Sequence, residues 1–161
     1  MKKAVVFLLL LSVLFLSGCA DGGRPCADLL SDFCREYGEL TDALRYCAGA
    51  EEWEGEAMPA DMADILFAED NGENAFSLCT DYAILLLPDA TGGEIAFLRA
   101  GSRADAALLS EMCLSRLSRM LRTLPNAPVL TGACVMRRGR TVVLLMLPDN
   151  ERAKSICHGL L

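Results

Sequence analysis

The sequence predicts an α+β fold built on an antiparallel sheet of about four strands. Three observations predict it: an apolar-faced helical repeat near residue 27, two β-hairpin patterns, and a helical pattern directly after each hairpin. Leu29, Leu30, Phe33, Tyr37, Leu40, Leu44 and Cys47 recur at steps of three and four, which predicts a helix over roughly 27–48. The acidic stretch around Trp53 has no periodicity and reads as a solvated connection, with a short helix over 60–67 after it. Asn71-Gly72-Glu73-Asn74 then breaks the chain, because asparagine and glycine accept turn geometry.

Tyr82 to Leu87 and Glu94 to Leu98 are apolar runs separated by Pro88 to Gly93, the pattern of a hairpin with a six-residue loop. Ser102-Arg103-Ala104-Asp105 matches a capping box, so a helix starts there and runs to Leu124, where Pro125 ends it. A second hairpin pairs Val129–Met136 with Thr141–Leu147 around Arg137-Arg138-Gly139-Arg140. Asp149 or Asn150 caps a last helix, which Gly159 closes. These elements form one α+β domain over 26–161, with the helices expected on one face of the sheet.

Ahead of the domain, Lys2 and Lys3 precede a 13-residue apolar run, Ala4 to Leu16, broken only by Ser12. A bilayer-spanning helix needs roughly 20 apolar residues, so the run reads as a secretory signal, residues 1–18. Leu16-Ser17-Gly18-Cys19 resembles the lipobox of bacterial lipoproteins. The resemblance implies that Cys19 is lipidated with a diacylglycerol, and two chains suffice for a stable anchor. Residues 19–25 would then be a short tether. The expected compartment is the outer side of the cytoplasmic membrane, where the acyl anchor makes membrane lipid one partner.

The chain is acidic overall, with a formal charge of −7, which argues against nucleic acid as a partner. The charge is unevenly spread: residues 19–98 carry 18 acidic and 3 basic side chains, residues 99–161 carry 4 and 10. Mutual attraction of the two halves is the simplest reading. Seven cysteines follow Cys19 (Cys26, Cys34, Cys47, Cys79, Cys113, Cys134 and Cys157), without any Cys-x-x-Cys spacing, and His158 is the single histidine. No metal site and no cofactor is therefore expected, and most of these cysteines are expected to be small buried hydrophobes. One or two disulfides stay open in an exported chain.

Catalytic patterns are sparse. His158 belongs to the end of the last helix, Ser110, Ser115 and Ser118 lack a nucleophile elbow, and Gly92-Gly93 precedes a strand, not a phosphate-binding helix. Arg116, Arg119 and Arg122 recur every third residue late in the long helix. They either offset its negative end or form a contact for an anionic surface, with at least one expected to pair internally.

The segments Glu94 to Arg99, the helix after Ser102 with Arg116, and the hairpin Val135 to Leu144 resemble, in this order behind a lipobox, a family of clostridial-type lipoproteins, the domain of unknown function numbered 4358. Thr141 stands where an aromatic is usual in that family. The resemblance spans roughly residues 60–158 and implies an envelope compartment and this fold, with no activity attached. Two functions follow as expectations: a non-enzymatic envelope lipoprotein that binds a protein or cell-wall component, or a thiol-dependent enzyme using an exposed cysteine.

Overall fold

The computed structural model describes residues 23–38, 40, 42–49, 56–68, 74–88 and 92–161. Residues 1–22, which hold the expected signal segment and Cys19, lie outside the described residues. The elements run α1 (Cys26–Tyr37), β1 (Leu44–Cys47), α2 (Ala60–Phe67), a 3-10 turn (Ala75–Leu78), β2 (Cys79–Leu86) and β3 (Glu94–Ala100). They continue with α3 (Arg103–Thr123), a second 3-10 turn (Pro128–Leu130), β4 (Cys134–Arg138), β5 (Thr141–Met146) and α4 (Asn150–Leu160).

The fold is α+β, with a fully antiparallel sheet in the order β1-β2-β3-β5-β4. It has five strands where the sequence suggested about four. The extra one, β1, lies inside the helix expected over 27–48. That helix stops at Tyr37 because Gly38 takes a φ of 105°, closed to most side chains, and Asp42 follows at a φ of 61°. Leu44 kept the helical spacing by coincidence and is 54% exposed.

Helices cover both faces of the sheet, which corrects the one-sided arrangement. The reason lies in β3 and β5, which are apolar at nearly every position: a strand with no polar side must be buried on both. Ala96, Leu98, Ala100, Val142, Leu144 and Met146 face α3, meeting Leu109, Met112, Cys113 and Leu117. Ile95, Phe97, Val143 and Leu145 point the other way, toward Leu29, Leu30 and Phe33 of α1 and Ala153 and Cys157 of α4. Burying each large apolar side chain contributes roughly 1.5–3 kcal/mol.

The long helix begins as its capping box predicts. Ser102 Oγ accepts from the Asp105 N–H at 3.1 Å, while the Ser102 hydroxyl donates to Asp105 Oδ2 at 2.8 Å. At the last helix the cap is Asp149, whose Oδ1 accepts from the Arg152 N–H. Asn150 instead turns inward: its amide donates to the Val129 and Thr131 carbonyls, and its oxygen accepts from the Leu147 N–H. The hairpin expected from Val129 starts at Cys134, because Pro128 directs Val129 and Leu130 into a 3-10 turn. Gly139, at a φ of 61°, supplies the positive φ that a two-residue β4–β5 link requires. No helix among the described residues is long and apolar enough to cross a membrane.

Candidate functional site

The two ends of the sheet differ in what they do with arginine. At one end, β3 begins with Glu94, whose side chain lies on the α3 face among buried apolar groups. Arg116 of α3 reaches it, donating from Nε and Nη2 to Glu94 Oε2 at 3.2 and 3.1 Å. The pair is 1% exposed on the acid and 13% on the base. Burial pushes the Glu94 carboxyl above its ordinary value, and Arg116 pulls it back only in part. Its other oxygen, Oε1, has no hydrogen-bond partner among the described residues.

One turn further along α3, Arg119 donates to the backbone oxygens of Leu66 and Ala68. These are carbonyls at the end of α2, where the helix leaves acceptors unpaired and the dipole favours a cation. Arg122 is exposed near the end of the same helix. The three-arginine stripe is thus corrected as an outward surface: Arg116 and Arg119 are spent inside the fold, on an acid and on two carbonyls that helical spacing alone does not reveal.

At the opposite end, β3 finishes, β5 begins and α3 starts. The register sets Arg99 across from Thr141, and Thr141 across from Arg138. This gathers Arg99, Arg103, Arg138 and Arg140 around a cleft of about 290 Å³, completed by Gly23, Gly139, Thr141 and Leu161. No carboxylate side chain lines it. Arg99 is the braced member, donating to the carbonyls of Gly23 (2.6 Å) and Arg24, with Asp81 Oδ2 at 3.9 Å. Arg140 donates to the Gly101 carbonyl at 3.2 Å. Arg103 and Arg138 are exposed, and neither has an ion-pair partner among the described residues. The nearest acid of α3, Asp105, is held by Ser102.

Residues 23–25 run into α1 at this same end. Besides Arg99's grip on Gly23 and Arg24, Arg24 pairs with Asp32 of α1, and the Cys26 N–H donates to Asp81 Oδ2 at 2.8 Å. The chain is therefore fixed to the domain from Gly23 onward. Sequence reasoning missed this cluster as a site. Its visible part was Arg137-Arg138-Gly139-Arg140, three arginines on a hairpin tip; Arg99 and Arg103 join them only once β3 and β5 pair.

The thiols offer little chemistry. Cys26, Cys47, Cys113 and Cys157 are buried, and Cys34, Cys79 and Cys134 are half-buried. Burial drives the Cys79 and Cys157 thiols up to about 12, and those of Cys26, Cys34, Cys113 and Cys134 upward as well. A nucleophilic cysteine needs the opposite shift. Among the described residues, no group of three His, Cys, Asp or Glu side chains could hold a metal ion. No family model, curated protein or solved structure matches the chain.

Proposed function

We propose that this chain is a lipid-anchored lipoprotein on the outer side of the cytoplasmic membrane, and that its folded part is a non-enzymatic module binding an anionic component of the envelope. The observation that carries the reading is Leu16-Ser17-Gly18-Cys19 at the end of a 13-residue apolar run. An apolar segment of that length favours a cleaved signal over a permanent span. The likeness to the lipoprotein family numbered 4358 belongs to the same proposal. The binding role is supported by an arginine-lined cleft beside the tether and by the lack of any exposed thiol among the described cysteines. The latter weighs against a thiol-dependent enzyme.

Expression of the full chain in a lipoprotein-processing bacterium supplied with labelled fatty acid tests the anchor. The label is expected on the wild type and absent from Cys19→Ser. An unlabelled wild type, or a labelled Cys19→Ser, would show that the anchor lies elsewhere or does not exist.

A further inference from the structure

We propose that the cleft formed by Arg99, Arg103, Arg138 and Arg140 is a phosphate site, and that the phosphate it takes is the headgroup phosphodiester of an anionic membrane lipid.

The chemistry of the lining selects the ligand. Four arginines line the cleft with no carboxylate side chain among its lining residues, and two of them, Arg103 and Arg138, have no ion-pair partner among the described residues. Guanidinium presents paired N–H donors at the spacing of two phosphate oxygens, which makes it the side chain suited to gripping phosphate from more than one side. Arg99 is held by the Gly23 and Arg24 carbonyls and Arg140 by that of Gly101, so these two form a fixed floor. Arg103 and Arg138 stand at the open side and can close on a ligand. At about 290 Å³ the cleft lies at the small end of the range for small-molecule sites, large enough for a headgroup phosphate and its glycerol.

Position selects the source. Gly23 itself lines the cleft, and four residue steps separate it from Cys19, a reach of at most about 14 Å. With an acylated Cys19 the cleft opens beside the headgroup layer, where tethering raises the effective lipid concentration to the order of millimolar or above, so a modest intrinsic affinity suffices. This choice of a lipid over a soluble phosphate rests on the lipoprotein reading. The phosphate chemistry of the cleft does not.

The test uses the full chain in a neutral detergent, titrated separately with short-chain phosphatidylglycerol, short-chain phosphatidylcholine and glycerol phosphate. Phosphatidylglycerol is expected to bind, phosphatidylcholine and glycerol phosphate much more weakly, and added salt to weaken the binding. Arg103→Gln with Arg138→Gln should reduce phosphatidylglycerol affinity at least about tenfold, whereas the charge-matched pair Arg122→Gln with Arg137→Gln should change it less than about threefold. A matching thermal melt shows that both double variants fold. Equal losses in the two pairs would reduce the site to diffuse charge and overturn the proposal, as would undiminished binding in the first pair. Equal binding of phosphatidylcholine would overturn it too, and equal binding of glycerol phosphate would overturn the lipid source. Cys19→Ser should lose the preference for phosphatidylglycerol over glycerol phosphate while keeping a phosphate affinity that falls in Arg103→Gln with Arg138→Gln, so failure of the cleft and failure of the acyl anchor register separately.

Discussion

Arg116 and Arg138 stand at opposite ends of the same sheet and have opposite fates. Arg116 is enclosed on the α3 face and spends its charge on Glu94, while Arg138 sits at a hairpin tip with no ion-pair partner among the described residues. Both arise from the basic C-terminal stretch, yet only the first is part of the core. The difference teaches that charge asymmetry in a sequence is answered locally: the acidic half answers Arg116 through Glu94, whereas Arg103 and Arg138 at the other end have no ion-pair partner among the described residues.

The enclosed end should respond most strongly to change. Removing one member of a buried ion pair leaves the other charge uncompensated, so Arg116→Leu is expected to cost roughly 3–5 kcal/mol in urea unfolding. Replacing both, Arg116→Leu with Glu94→Leu, should recover most of that loss, because an apolar pair needs no partner. A double variant as unstable as the single one would mean that packing, and not the charge of Glu94, dominates this end.

A pH series sharpens the same point. The folded-state value of Glu94 is raised above its ordinary 4.5, so native protein favours the neutral acid. The stability this contributes is fully present below the ordinary value and is lost as pH rises through the raised one. The cost of Arg116→Leu should therefore be smaller at pH 5 than at pH 8, by about 1 kcal/mol or more for each unit of further shift in Glu94. Unfolding curves of Arg116→Leu and wild type at the two pH values check this, and an equal cost at both would show that Glu94 does not titrate in this range.

Much of the fold was legible because its signals are local. The Ser102 cap, the Gly139 turn and the apolar runs of β2, β3 and β5 each depend on residues within a few positions of one another. The fifth strand was hidden because Leu40, Leu44 and Cys47 happen to extend a helical spacing past Gly38, the residue that ends the helix. The two-sided cover was implicit in Ile95-Ala96-Phe97-Leu98 and Val142 to Leu147, apolar on both faces, and was read only as strand.

The site was less legible because it depends on long-range pairing. Helical spacing shows that Arg116 and Arg119 share a side of α3, but it does not show that Glu94 and the end of α2 occupy that side. In the same way, Arg99 and Arg103 meet Arg138 and Arg140 only through the β3–β5 register, which no local signal near either pair specifies.

The smallest expected effect tests the central claim most directly, namely that Arg103 and Arg138, at the cleft end of the sheet, are surplus to the fold. Equilibrium urea unfolding of Arg103→Gln with Arg138→Gln, run beside Arg116→Leu, compares the two ends in one measurement. The expected unfolding free energy of the cleft-end pair lies within about 0.5 kcal/mol of wild type, the bound typical of surface substitutions, against a loss of several kcal/mol for Arg116→Leu. A loss above about 2 kcal/mol in the cleft-end pair, well outside that surface bound, would contradict this claim, because those arginines would then be holding the domain together.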